Sequence, residues 1–167
     1  TPGVGSPHHI AMARLLDMQG LKMQHVPYKG DSAAVVDLVG GGIQNMLMGV
    51  ATARQYAKDE RLRFIAVTWP TRLSSMPEVP TFEESGVRNF EVSAEQGILV
   101  AAGTPKDVVQ RINREGAQVL NTPAVREKLE TLGMYPVLKS PEEFKPYVSR
   151  QSQIAGEIIK RQGITIN

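Results

Sequence analysis

An α/β fold with a mostly parallel sheet and helices on both of its faces is predicted by two observations. Up to Thr68, short apolar segments of strand length alternate with segments in which apolar residues recur at helical spacing. Glycines or N-cap residues stand where one kind of segment gives way to the other. Because strand and helix alternate, we expect right-handed crossovers between parallel strands.

The first half of the chain predicts three helices and three strands. Ser6 and Pro7 suit the N-cap and first positions of a helix that runs to Met18 and ends at Gly20. A second helix, capped by Asp31 or Ser32, is predicted for "DSAAVVDLVGGG", with Val35, Val36, Leu38 and Val39 on its buried face. A third is predicted for "ATARQYAKDER". The strands are predicted for "KMQHVPY", "IQNMLMGV" and "RFIAVT".

After Thr68 the alternation of strand-like and helix-like segments stops, and the residue composition changes. A proline-rich connection ends in a capping box of Thr81 and Glu84, which predicts a short helix and a lobe boundary. The long extended segment "FEVSAEQGILVAAGTP" follows. Three helices are then predicted by pairs of an N-cap residue and a proline: Thr104-Pro105, Thr122-Pro123 and Ser140-Pro141. A short strand, "YPVLK", is predicted before the last helix. Gly133 and Gly163 are predicted to end the last two helices.

Composition excludes several classes of protein. The 167 residues are 41% hydrophobic and 22% charged, as in an ordinary globular protein, and the net charge of +2 comes from interspersed charges rather than a basic stripe for nucleic acid. The absence of cysteine excludes disulfides and thiolate chemistry. No apolar run is long enough to enter and span a membrane. The chain begins at Thr1 without a methionine or signal peptide, so a mature product or a fragment is expected.

Motifs for cofactors, metals and catalysis are missing from the sequence. Glycines 40–42 follow a helix and precede a strand, which is the reverse of a phosphate-binding loop, so they are interpreted as a helix stop. His8 and His9 are adjacent, without a third ligand at matching spacing, and a metal site is not expected. Since no nucleophile motif is present either, we expect no cofactor and no enzymatic activity.

Three loops instead predict a binding site. In an open α/β sheet, ligands bind beyond the carboxyl ends of the strands, and those ends carry "GVGSPHH", "YKGDSAA" and "LMGVATA", each of which leads into a helix. Free N–H groups at helix starts favour small anions. Their convergence would suit a carboxylate, so binding is favoured over catalysis. Met46 and Met48 share one face of a predicted strand and are most simply interpreted as core residues, although Met48 lies near the carboxyl end, where sites gather. Tyr28 and Lys29 have the same ambiguity.

The order and spacing of longer motifs resemble a known family. "HVPYKGDSAAVVDLVGGGIQNMLMG", "RFIAVT", "MPEVPTFEESG" and "AAGTPKDVVQRIN" are similar to the solute-binding receptors of tripartite tricarboxylate transporters, the Bug family, over the whole chain. The resemblance implies a periplasmic binding protein of type II with two lobes. Residues 1–92 would form the second lobe, and residues 93–167 the crossover strand and C-terminal helices of an incomplete first lobe.

The resemblance also implies a function and partners. It predicts capture of a mono- or dicarboxylate in a cleft between lobes, in the periplasm, and delivery to membrane transporter subunits, without binding to nucleic acid or insertion into a membrane. A ligand-sensing effector module of a regulator with the same fold is the alternative. The ligand-binding positions expected from the resemblance and the loops together are Gly5, Ser6, His8, His9, Tyr28, Gly30, Asp31, Ser32, Ala33, Met48 and Gly49.

The chain departs from the family pattern at three places. His8 stands where a serine is common and, if protonated, would add positive charge to an anion site. Leu47, Met48 and Gly49 replace a run with an aspartate that would suit an ammonium group, which makes an amino acid ligand less expected. Glu95 and Gln96 stand where the family has a tryptophan, which alters the expected polarity of the cleft.

Overall fold

The computed structural model describes residues 1–90 and 92–165 and contains two compact units. Unit 1 comprises the described residues of Thr1–Ala94 and Glu157–Asn167, and unit 2 is Glu95–Gly156. Six helices occur in the described residues: α1 (Pro7–Gln19), α2 (Asp31–Val39), α3 (Val50–Gln55), α4 (Lys106–Leu120), α5 (Pro123–Thr131) and α6 (Pro141–Gln162). Helices α1, α2 and α3 belong to unit 1, and each begins directly after one of the three loops predicted to bind ligand.

Helix α1 forms as predicted. The Ser6 side chain accepts a hydrogen bond from the backbone N–H of His9, and Pro7 occupies the first turn. Gly20 ends the helix in the left-handed conformation, with φ 61°, which glycine adopts without the steric cost of a Cβ atom. Ala11 and Ala13 are buried, so the helix packs through small residues that allow close approach.

Helix α2 differs from the prediction at its start and on one face. The N-cap is Gly30, with φ 106°, and neither Asp31 nor Ser32 caps the helix with its side chain. The Asp31 carboxylate instead contacts the next loop, which leaves the cap to the backbone. Val35 is buried, but Val36 is 69% exposed because neighbouring helical residues point about 100° apart. Gly40 is the C-cap, which confirms that the glycine run is a helix stop.

Shorter elements also differ from expectation. Helix α3 ends at Gln55 rather than continuing through "AKDER", where Asp59 and Arg61 pair within a turn. The capping box of Thr81 and Glu84 forms both of its reciprocal bonds, but residues 82–86 form turns rather than a helix. Both segments are short, and a short helix gains few hydrogen bonds for its unfavourable nucleation.

The three predicted N-caps of the second half have different outcomes. Ser140 caps α6 as expected, and in addition it forms a capping box with Glu143. Thr122 is the N-cap of α5, but its hydroxyl donates to the carbonyl of Val119 rather than accepting from the helix. The N-cap of α4 is Pro105, and the hydroxyl of Thr104 donates to the carbonyl of Ala101, so Thr104 was wrongly predicted. Gly133 and Gly163 follow α5 and α6 with positive φ, as expected of helix stops.

Parallel backbone pairing occurs at two places, and no longer strand ladder forms among the described residues. The carbonyl of Val67 accepts from Phe82 N, and Val67 N donates to the Pro80 carbonyl, which is a parallel bridge to Thr81. Thr1 pairs in the same way with the segment around Val26. A strand requires a partner along its length, and Met23 and Ile65, within two predicted strands, are 51% and 70% exposed. The parallel sheet therefore stays a prediction.

The buried hydrophobic residues all lie in unit 1. They include a cluster of Ala53, Met76 and Val79, against which Met48, Phe64 and Val67 pack. An ion pair between Arg161 and Asp17 connects the end of α6 with α1. No residue of unit 2 is buried, and Ile98, Val108, Ile112 and Val119 line an open apolar groove there. The packed part of the chain is thus the part that carries the three loops.

Candidate functional site

The loop before α1 is held closed by its own side chains. Ser6 Oγ donates to the carbonyl of Gly3 at 2.8 Å and accepts from the N–H of His9 at 3.2 Å. The N–H of Gly5 donates to Nδ1 of His9 at 3.1 Å. Because Nδ1 is the acceptor, the proton of neutral His9 resides on Nε2. Gly5, Ser6 and His9 are therefore connected by hydrogen bonds within one loop.

A second histidine, which the sequence analysis did not single out, supports this loop. The rings of His9 and His25 stack with centroids 3.8 Å apart and planes 12° apart. Nε2 of His25 lies 2.7 Å from the hydroxyl of Thr1. Burial lowers the pKa of both His9 and His25, and the charge of His9 lowers that of His25 further. The pair is thus favoured in its neutral form.

Backbone hydrogen bonds bring the second loop beside the first. Thr1 N donates to the carbonyl of Val26 at 3.0 Å, and Tyr28 N donates to the carbonyl of Thr1 at 2.9 Å. The N–H of Gly30 donates to the carbonyl of Pro2 at 3.1 Å. This register fixes the start of α2 next to the start of α1.

Asp31 connects the second loop with the third. Its Oδ2 accepts from the N–H of Gly49 at 3.2 Å and from the hydroxyl of Thr52 at 3.4 Å. Its Oδ1 is buried and has no hydrogen-bond partner. His8 lies within electrostatic range: burial lowers the pKa of His8, and the negative charge of Asp31 partly opposes that shift. We call residues 1–9, 28–33 and 49–52 the three-loop cluster.

Most residues expected at the site lie in this cluster. Ser32 and Ala33 are exposed on the first turn of α2, and Gly49 is the N-cap of α3. The Tyr28 hydroxyl donates to Asp37 at 2.7 Å, which raises the pKa of Tyr28 and directs its polar end toward the side of α2. Met48 is partly buried and packs against the buried cluster of Ala53, Met76 and Val79.

Thr52 is a cluster residue that sequence reasoning missed. It lies three residues after Gly49, on the first turn of α3, where a hydroxyl reaches the same side as the N-cap. A threonine in the first turn of a helix that follows a predicted strand was the available signal. His25 gave no such signal, because its role depends on contacts with Thr1 and His9 that are distant in sequence.

The cluster has the chemistry of a polar binding site. The cluster contains backbone N–H groups, hydroxyls, two imidazoles and one carboxylate, that of Asp31, which contacts Gly49 N and the Thr52 hydroxyl. Within residues 1–90 and 92–165 no group of three or more histidines and carboxylates is arranged to hold a metal ion. None of the helices described here has the length and hydropathy needed to cross a bilayer.

Comparisons with known proteins agree on one family. Residues 1–164 match the family described as Tripartite tricarboxylate transporter family receptor, TctC. A UPF0065 protein in the tcbD-tcbE intergenic region of Pseudomonas sp. (strain P51) is 38% identical over 141 residues, which are 84% of this chain and 42% of that protein. The chain spans about half the length of the curated relatives it matches.

Solved structures show the same fold with carboxylates bound. An R. palustris protein solved with adipate has a TM-score of 0.76 and 25% identity, over 96% of this chain and 54% of that one. MatC from Rhodopseudomonas palustris, solved with bound malate, has a TM-score of 0.62 and 27% identity, over 94% of this chain and 52% of that one. The fold is therefore of the type found in these binding proteins, and the chain belongs to the family of tripartite tricarboxylate transporter receptors, the Bug family that its motifs resemble.

Proposed function

We propose that this chain forms part of a periplasmic solute-binding receptor that captures a small mono- or dicarboxylate and delivers it to a tripartite tricarboxylate-type membrane transporter. The family match over residues 1–164 supports a receptor rather than an enzyme. The relatives solved with adipate and malate support a carboxylate as the ligand class. The convergence of three loops at the starts of α1, α2 and α3 is the observation that carries the proposal for this chain.

We assign the anion to the start of α2, where the first turn also carries the carboxylate of Asp31. Its first turn carries the exposed residues Ser32 and Ala33, so its N–H groups are not covered by large side chains. A helix N-terminus stabilises a nearby anion by about 0.3 to 1 kcal/mol. Micromolar affinity requires about 8 kcal/mol. We therefore infer that closure of two lobes, which excludes water from the bound anion, supplies most of the affinity.

A single added charge tests this site. In Ala33→Asp, a second carboxylate joins that of Asp31 on the first turn of α2, where it adds repulsion of a bound anion but favours the helix itself. We expect the dissociation constant for the carboxylate to rise about tenfold or more. Calorimetric titration of the protein expressed from its complete gene measures this, first with succinate, adipate, malate and aspartate to find the ligand.

The matched control is Ala57→Asp, the same substitution at an exposed residue in the turn after α3. We expect it to leave the affinity unchanged. Equal affinity in Ala33→Asp and the unmodified protein would overturn the assignment of the anion site to α2. Failure of every carboxylate to bind the unmodified protein would overturn the proposed function.

A further inference from the structure

Only one of the two oxygens of the Asp31 carboxylate has hydrogen-bond partners. Oδ2 accepts from Gly49 N and from the Thr52 hydroxyl, whereas Oδ1 has less than 1 Å² exposed and no partner among the described residues. Leaving a buried polar group unpaired costs about 1 to 3 kcal/mol, and more for a charged group. Such a group is retained where a bound species supplies the missing hydrogen bond or where it acts in function.

Neighbouring groups of the chain do not supply that hydrogen bond. The Thr52 hydroxyl has one proton, which it donates to Oδ2, and the N–H of Gly49 is directed to the same oxygen. His8 interacts with Asp31 through charge alone, and its lowered pKa favours the neutral ring. The donor that Oδ1 lacks is therefore expected from a bound molecule.

We propose that Asp31 selects the ligand by accepting a hydrogen bond from a hydroxyl or ammonium group that stands next to the ligand's carboxylate. This inference rests on the proposed function, because it assigns a ligand class to the same site. The free oxygen lies at the junction of the loops, beside the exposed first turn of α2. Because this oxygen is buried, the proposal requires a local movement of residues 30–32 and 49–52 when the ligand binds.

The chemistry of Asp31 discriminates against plain carboxylates. A ligand that carries only carboxylates offers acceptors alone, and these cannot hydrogen-bond to an ionised side chain. A hydroxyl or ammonium on the adjacent carbon offers a donor, and the bond to a charged acceptor is among the stronger kinds. The preferred ligands are thus 2-hydroxy- or 2-amino-carboxylates.

Three ligands that differ at one carbon test the proposal. Succinate, malate and aspartate share a four-carbon dicarboxylate and carry hydrogen, hydroxyl and ammonium at the second carbon. For the protein expressed from its complete gene, we expect malate or aspartate to bind about 10- to 100-fold more tightly than succinate in calorimetric titration. Whichever of the two binds more tightly identifies the donor as hydroxyl or ammonium.

Substitution of Asp31 by asparagine gives a change of preference that a general loss of structure would not produce. In Asp31→Asn, the amide oxygen is required at the Oδ2 position by Gly49 and Thr52, so the amide nitrogen occupies the position of Oδ1. A free acceptor is thereby replaced by a donor. We expect the preference for aspartate over succinate to fall to about threefold or less, or to reverse, because an ammonium group cannot accept from the amide N–H. The preference for malate should fall by a smaller factor, because its hydroxyl can accept.

Two further variants separate this role from loop positioning and from net charge. Thr52→Ala removes a bond to Oδ2 but leaves Oδ1, so we expect weaker binding of all three ligands with an unchanged preference. Asp59→Asn removes the same charge at a carboxylate that pairs with Arg61 outside the cluster, and should change neither affinity nor preference. Circular dichroism and melting temperature check that each variant is folded.

The possible outcomes separate the two proposals. If succinate or adipate binds as tightly as malate and aspartate, or if Asp31→Asn keeps the preference of the unmodified protein, the role of Asp31 is overturned while carboxylate capture stands. If none of the four binds, both proposals are overturned. A preference that Asp31→Asn lowers and Thr52→Ala retains supports the assignment.

Discussion

The stacked histidines make the loop before α1 sensitive to acid at the scale of single residues. Burial lowers the pKa of His9 and His25, so between about pH 6.5 and those lowered values the unfolded chain binds more protons than the folded one. Stability is therefore present above about pH 6.5 and falls as the pH decreases. Protonation of His9 also removes the acceptor for Gly5 N.

We expect the melting temperature to fall between about pH 7.5 and about pH 5.5, and to fall less in His25→Phe than in the unmodified chain. Phenylalanine keeps a ring against His9 but does not titrate. His9→Phe is the companion variant, and the comparison at each pH cancels the contribution of carboxylates and His8. An equal decrease in the unmodified chain and both variants would contradict the role of this pair.

Single residues show what sequence could predict of the site. Ser6 and Asp31 were selected because they stand in loops before helices, and both lie in the three-loop cluster. Their contacts were not predictable, since Asp31 was expected to cap α2 but contacts residues 18 and 21 positions later. His25 was missed for the same reason: its partners are determined by tertiary packing rather than by a local pattern.

At the scale of elements, the stability of α6 depends on a capping box. The Ser140 hydroxyl accepts a hydrogen bond from Glu143 N, and the Glu143 carboxylate accepts one from Ser140 N. The hydrogen bond from Ser140 N is the main reason that the pKa of Glu143 is lowered. We expect Ser140→Ala to lower the free energy of unfolding by about 1 kcal/mol, because the helix loses its capping acceptor. Urea unfolding followed by circular dichroism measures the change.

Thr104→Ala is the matched control, because the same N-cap and proline pattern precedes α4. The Thr104 hydroxyl donates to the carbonyl of Ala101 and accepts from no helix N–H, so its loss should cost less than that of Ser140. A larger cost for Thr104→Ala would show that the turn bond, rather than the cap, matters. The pattern thus located the three helices, while only the structure distinguishes a working cap from a turn.

At the scale of the whole molecule, large apolar side chains are exposed in segments predicted as strands. Ile65, Ile98 and Leu99 are 70, 75 and 84% exposed. A parallel sheet covered on both faces buries such side chains, so these segments do not have the surroundings that their apolar pattern predicts. The strands therefore stay a prediction, because the pattern shows which side chains suit burial but not what covers them.

This exposed apolar surface predicts that the 167 residues alone bind ligand weakly. Apolar side chains of predicted strands that remain in water do not hold the loops before α1, α2 and α3 in a fixed arrangement, and water stays at the anion site. We expect the dissociation constant of residues 1–167 to exceed that of the protein expressed from its complete gene by about tenfold or more, and its binding of a fluorescent apolar dye to be stronger. Ala57→Asp in both proteins controls for changes that are unrelated to the site. Low-micromolar affinity of residues 1–167, equal to that of the complete gene product, would contradict this expectation and would place every group needed for capture within the chain described here.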